Sequence, residues 1–128
     1  MKAKARVIKA GKAKGKALTS KKPISFYGGV DPETGVVIEK GHPLKGKSIA
    51  GKVLVFPTGK GSTVGSYTLY RLKKHGKAPA GIINGESEPV VAVGAIISDI
   101  PMVDQVDIKK IKNGSEITIN GGDVEWKS

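Results

Sequence analysis

The sequence has no cysteine, only two histidines and, before Asp31, no acidic residue. Without a thiol the chain forms no disulfide and cannot by itself ligate an iron–sulfur cluster, which needs thiolates. His42 and His75 lie far apart in the chain, so an all-protein zinc site is not expected. No apolar run reaches the ~18 residues of a membrane span, and the lysine-rich start lacks the apolar core of a signal peptide. The expectation is a soluble, cytoplasmic protein with no metal ligands of its own. Aromatic residues make up only 5% of the chain, and none precedes Phe26. The basic start therefore offers no stacking platform for single-stranded bases, which argues against nucleic acid as the partner.

The formal net charge of +11 is concentrated at one end. Nine of the 22 basic residues, from Lys2 to Lys22, precede the first acid. The remaining residues carry 13 bases against 11 acids, a surplus of two. A basic segment over residues 1–22, attached to a near-neutral body, reads as a solvated charged edge or a docking surface for an acidic partner rather than as a basic binding face. A length of 128 residues suits a single domain, 1–128, large enough to bury a core.

Along the chain, Ala3 to Lys9 alternates weakly and can form a first strand, Gly11–Lys16 a hairpin or loop, and Ala17–Thr19 resumed extended structure. Ile24–Tyr27 and Val36–Ile38 read as strands around a loop of Gly28, Gly29, Asp31-Pro32 and Thr34-Gly35 that reverses the chain. A second turn-rich stretch, Gly41–Lys47, follows. So many glycines and prolines suggest that both loops line a site or an interface, although ordinary surface loops would read the same way. Val53–Phe56, closed by Pro57, is a buried strand. Thr63 to Lys74 reads as a helix with Ser62 as its N-cap, lysines in its last turn and Gly76 as its stop. Ala80–Asn84 is another buried strand. The run Pro89 to Ile100 favours a second helix, over 89–98, because of its length and its flanking prolines. With a strand starting at Met102, that gives a right-handed βαβ crossover. Ile117–Trp126 is a hairpin by its Asn-Gly turn. The fold class is a β-rich α/β domain of mixed strands with about two helices.

The chemistry concentrates in Gly59-Lys60-Gly61-Ser62-Thr63-Val64-Gly65-Ser66, a strand-to-helix turn whose glycines permit positive φ and close approach of a ligand. A Walker phosphate loop needs Ser or Thr directly after Gly-Lys, and here Gly61 intervenes. The glycine spacing also departs from the dinucleotide fingerprint. A nucleophile elbow would place Gly two residues after the serine, and a triad would need a histidine. His75 lies at the far end of the same helix, roughly 18–20 Å away; His42 stays possible. In a third arrangement Ser62 acts as a base, its alkoxide stabilised by helix N-terminal amides and by Lys60. On spacing alone, a serine that merely caps the helix is the preferred reading.

Gly28-Gly29-Val30-Asp31-Pro32, Thr34-Gly35, His42-Pro43, Ser48–Lys52, Gly59–Ser66 and Gly94–Ile97 together resemble the small, swivel-domain subunit of the aconitase X family over about residues 24–103. The resemblance implies a swivelling β/β/α domain that docks on a large subunit holding the iron–sulfur cluster. The implied activity is dehydration of (R)-5-phosphomevalonate to trans-anhydromevalonate 5-phosphate in the archaeal mevalonate route to isoprenoids. Ser62 matches the serine that removes the proton beside the substrate carboxylate, and Gly59, Lys60, Gly61 and Thr63 are the neighbouring candidates for holding substrate. Aconitases proper have Gly-Ser-Ser-Arg at this turn, where this sequence has Thr63-Val64 after the serine. The group that grips the substrate carboxylate or phosphate then comes from elsewhere, Lys60 or the large subunit. The alternatives are a hydroxyproline dehydratase subunit, which shares the serine loop, and a non-catalytic basic binding domain.

Overall fold

A computed structural model describes residues 1–127. Eight strands and two helices are found among them: β1 (Lys2–Lys4), β2 (Arg6–Lys9), β3 (Lys12–Thr19), β4 (Val53–Phe56), α1 (Gly65–Lys74), β5 (Gly81–Asn84), α2 (Pro89–Ile97), β6 (Met102–Asp104), β7 (Glu116–Asn120) and β8 (Asp123–Trp126). A 3-10 turn lies at Ile108–Lys110.

The strands form one sheet in the order β1-β8-β7-β3-β4-β5-β6-β2. β1 and β2 are separated in sequence by Ala5 alone, yet they occupy opposite edges of that order. One residue spans at most ~3.6 Å, so the sheet must curl until its edges meet, and it forms a near-barrel. The Ala5 amide marks the seam, donating to the Gly122 carbonyl at 2.8 Å. The weak alternation over Ala3–Lys9 thus belongs to two strands rather than one.

β3 connects the two halves of the barrel, antiparallel to β7 and parallel to β4. Its first part, expected as a hairpin or loop, is regular strand. Lys12, Lys14 and Lys16 point outward, while Ala13 and Ala17 are buried. Alanine and glycine on the inward positions hide this period of two from a reading based on hydropathy. Gly15 is small for a reason, since a Cβ there would stand 2.9 Å from the Gly51 carbonyl oxygen. The basic segment 1–22 is accordingly built into the barrel wall. Four of its cations meet acids: Lys2 with Glu125, Lys4 with Asp123, Arg6 with Asp104 and Lys9 with Asp99.

β4, β5 and β6 run parallel, joined through α1 and α2, so two βαβ units share β5. Alternation along these strands divides the core in two. Leu54, Phe56, Ile82 and Met102 face the helices and meet Leu69, Leu72, Val91 and Ala95. Val53, Val55, Ile83 and Val103 face the barrel interior and meet Ile117, Ile119, Val124 and Trp126. The C-terminal hairpin forms as its Asn-Gly turn predicts, with Ile119 opposite Val124. The helices pack closely because Gly94 of α2 leaves room for α1: a Cβ there would come within 2.6 Å of Leu69 Cδ1.

Two expected strands are absent. Ile24–Tyr27 makes a single bridge, Ile24 to Gly59, and Val36–Ile38 makes only the bridges Val37 to Val30 and Val36 to Ser48. Their side chains explain the β-like composition: Ile24, Phe26, Val30 and Val37 are buried under the helices as loop segments packed on the core. α2 stops at Ile97, one residue short of the expected end at 98, in a Schellman ending. Asp99 adopts φ 55°, and the Ile100 amide reaches back to Ala95 O at 2.9 Å.

Candidate active site

The loop from Gly59 to Val64 leaves the C-terminal end of β4 and lies on residues 24–27. Ile24 N donates to Thr58 O at 3.3 Å and Lys60 N to Ile24 O at 3.0 Å. Two glycines make the close approach possible. Gly61 has φ 94°, and a Cβ on it would collide with Ser25 Oγ. Gly59 is buried against the start of α2, where a Cβ would collide with the Glu88 carboxylate and Val91.

Ser62 is exposed and stands two residues ahead of the cap position. The cap position is Val64, which has no side-chain hydrogen bond, and α1 begins at Gly65. Ser62 Oγ instead accepts the Val64 amide at 3.1 Å, and Ser62 O accepts the Gly65 amide at 2.9 Å. The loop therefore ends in two tight turns that hold the hydroxyl just ahead of the helix rather than on its first turn. With no acid in the first turn of α1, the positive end of the helix faces this hydroxyl uncompensated. An amide directed at Oγ and an open helix terminus both favour the alkoxide form of a serine.

Lys60 is the one cation between Pro57 and Tyr70. Its Nζ donates to Glu39 Oε2 at 3.0 Å, linking the serine loop to the loop that follows Val36–Ile38. Thr63 is exposed, and its carbonyl accepts the Ser66 amide at 3.3 Å. Thus Gly59, Lys60, Gly61 and Ser62 form one structured turn, while Thr63 only continues it.

His42 plays no part in a triad. It is buried, its Nδ1 accepts the Leu44 amide at 3.0 Å, and its Nε2 lies 3.1 Å from Pro23 O. A backbone amide can only donate, so Nδ1 carries no proton and Nε2–H donates to the carbonyl. The ring is a neutral brace for the turn-rich stretch 41–47. His75 ends α1, its Nδ1 2.8 Å from Arg71 O.

Two carboxylates that pattern reading missed support the site. Glu88 is the N-cap of α2, accepting Val90 N at 2.9 Å and Val91 N at 2.8 Å, and it is the group against which Gly59 packs. A carboxylate followed by Pro89 at the first helical position is a start signal that could have been read. Asp104 is fully buried at the end of β6 and accepts two bonds from Arg6, Nε to Oδ1 at 2.8 Å and Nη2 to Oδ2 at 2.6 Å. It also accepts the Ser87 amide at 2.9 Å, bracing the turn that carries Glu88. The Arg6 hydrogen bonds hold the Asp104 carboxyl down to about 2, against the opposing effect of burial. The same contact raises Arg6 above the usual guanidinium value. Nothing in the sequence pairs Arg6 with Asp104, since 98 residues separate them.

No cluster of His, Asp or Glu among the described residues could hold a metal ion, and the chain has no cysteine. These residues do not fit an iron–sulfur cluster. No helix among the described residues is long and apolar enough to cross a membrane. A cleft of about 540 Å3 on the outer barrel wall is lined by Lys2, Thr118, Asp123 and Glu125 among others, with no residue of the serine loop.

Comparison with known proteins places this geometry. Residues 2–126 match the family described as the aconitase X swivel domain. The chain is 59% identical over 127 residues to a protein of Thermococcus kodakarensis named phosphomevalonate dehydratase small subunit, covering 98% of this chain and 96% of that one. It is 57% identical over 126 residues to the protein of the same name from Methanosarcina acetivorans, covering 96% of this chain and 88% of that one. The crystal structure of Thermococcus kodakaraensis aconitase X in its holo form superposes with a TM-score of 0.97 at 57% identity, covering 100% of this chain and 99% of that one.

Proposed function

The chain belongs to the aconitase X swivel-domain family, and on that premise we propose that it is the small subunit of a hydro-lyase that dehydrates (R)-5-phosphomevalonate to trans-anhydromevalonate 5-phosphate. The enzyme is active as a heterodimer with a large subunit in the archaeal mevalonate route to isoprenoids, and it works in the cytoplasm. The names carried by relatives at 57–59% identity favour this substrate over hydroxyproline. The pairing of basic residues with acids along the barrel wall favours it over a basic binding module.

The single observation that carries the reading is the Ser62 hydroxyl, which receives the Val64 amide at 3.1 Å at the positive end of α1, whose first turn has no acid. As the alkoxide, Ser62 Oγ takes the proton from the carbon next to the substrate carboxylate and becomes the neutral hydroxyl, and the electron pair left on carbon forms the double bond as the β-hydroxyl departs. Gly61 and Gly59 let the loop lie low enough to present Oγ, and Lys60 supplies a cation for the carboxylate beside that proton. The iron–sulfur cluster belongs to the large subunit. An exposed serine is no place for this chemistry in open water, so the partner must also close the site.

Ser62→Ala, reconstituted with the large subunit, tests the reading. Normal assembly with loss of phosphomevalonate turnover is expected; near-normal turnover would sink it, and assaying hydroxyproline alongside checks the substrate.

A further inference from the structure

We infer that Glu39 is a positioning residue of this site: its carboxylate holds the Lys60 ammonium where that cation meets the substrate carboxylate. The inference rests on the reading of Ser62 as the base that acts beside that carboxylate.

Glu39 is fixed more firmly than an ordinary surface acid. Its side chain is 26% exposed, against 49% for Lys60. Its amide donates to Gly29 O at 3.2 Å, and its Oε1 stands 3.2 Å from the position a Cβ on Gly29 would take. A Cβ on Gly29 would collide first with the Ser25 carbonyl, and its absence also leaves room for this carboxylate against the chain. On the other side, the Glu39 carbonyl accepts the His42 amide at 3.2 Å, and His42 is itself braced between Pro23 and Leu44. Ser25, which lies under Gly61, is the residue whose carbonyl also abuts Gly29. The 25–29 segment, Glu39 and the turn at 60–61 therefore form one closed arrangement, and the bond from Glu39 to Lys60 is its side-chain link to the serine loop.

A pair of freely solvated charges contributes little, because two long side chains must be ordered for a screened attraction. Here the Glu39 backbone is held on both sides and its side chain is mostly buried, so the bond restricts Lys60 more than Glu39. A lysine stem has four rotatable carbons and an ammonium that no planar geometry directs. Without Glu39 that ammonium samples a wide shell of solvent. Held on Glu39, it stays in one place. Lys60 and Ser62 are two residues apart, so their Cα atoms lie within ~7 Å. A base in contact with the α-proton has the adjacent carboxylate within a few ångström of its oxygen. The Lys60 ammonium is the cation of this loop that can reach it, and it also separates the substrate's negative charge from that of Glu39.

The test uses small-subunit variants assembled with the large subunit. Glu39→Gln should raise KM about tenfold with kcat changed less than about threefold, and Glu39→Asp should recover most of the loss. Lys60→Gln should raise KM at least as much, and adding Glu39→Gln to it should cost nothing further, because Glu39 acts through Lys60. Calorimetric binding of (R)-5-phosphomevalonate to assembled Ser62→Ala, with and without Glu39→Gln, should show the same weakening where no proton transfer occurs. Activity in Ser62→Ala would count against the base while leaving the KM comparison intact. The positioning role is overturned by an unchanged KM in Glu39→Gln, by an undiminished Glu39→Gln penalty in the Lys60→Gln background, or by loss of assembly on gel filtration in both Glu39 variants. Weaker inhibition by inorganic phosphate in Lys60→Gln would place the cation at the phosphate end and overturn the carboxylate assignment.

Discussion

Each helix follows a parallel strand after a short loop, yet the two helix starts are built in opposite ways. At α2, both oxygens of Glu88 accept backbone amides, Pro89 occupies the first helical position, and Asp104 fixes the Ser87 amide just ahead of the cap. At α1, Val64 sits at the cap with no side-chain bond of its own, the first turn has no acid, and the one side-chain oxygen on its amides is the Ser62 hydroxyl, which accepts the Val64 amide. The first start is arranged for stability. The second is held by the one Ser62 Oγ bond to the Val64 amide and keeps its positive end clear of any carboxylate, available to a charge that exists only during reaction. Departures from good helix chemistry concentrate where function needs them, and here an intact start of the same architecture lies beside the departure for comparison.

The largest effect expected from breaking this contrast is at the open start. Ser62→Ala should lower turnover of the assembled enzyme by about 10^2–10^4-fold, the range for removal of a general base, with little change in the melting temperature of the small subunit. Acid should act on the closed start instead. Asp104 has its folded value lowered to about 2 from 3.8, so its contribution is complete above about pH 4 and disappears as the pH falls from about 4 to about 2. That contribution is about 2 kcal/mol. Denaturant titrations of Asp104→Asn should show this loss at neutral pH and a flatter stability curve below pH 4; an unchanged acid limb would contradict the role given to the Arg6 pair.

Removing the α2 cap should cost less. Glu88→Ala is expected to destabilise by about 1 kcal/mol, read as a lower melting temperature in calorimetry, and because Gly59 packs on that carboxylate it should also reduce turnover. The smallest effect comes from converting one start into the other. Val64→Asp should gain about 0.3–1 kcal/mol of stability by placing a carboxylate at the positive end of α1 and lose activity, since the new carboxylate would take up that positive end and repel an anionic substrate. A variant that is both more stable and as active would remove the contrast.

Much of this protein was legible from local pattern. The buried strands Val53–Phe56 and Gly81–Asn84, the helix closed between Pro89 and Pro101, and the Asn-Gly hairpin each carry their signal within a few residues. The glycine-serine loop was legible for the same reason, because glycine at a close approach leaves a mark in the sequence. β3 was obscured because its inward positions are alanine and glycine. Ile24–Tyr27 and Val36–Ile38 misled because burial, not pairing, selects their apolar residues. Helix α1 begins later than its pattern suggests because Ser62 bonds locally to Val64 and holds the chain in a turn.

The sequence by itself determined the serine loop, the absence of metal-binding thiols, the two helices and the hairpin, since each depends on residue type over a short span. Tertiary structure alone decided that strands separated by Ala5 would close a barrel from opposite edges, that His42 would brace a loop, and that Glu39 and Asp104 would find Lys60 and Arg6. Those outcomes are contacts between residues at least 19 positions apart, set by how the sheet curls and where the loops pack, and no local preference of the chain encodes them.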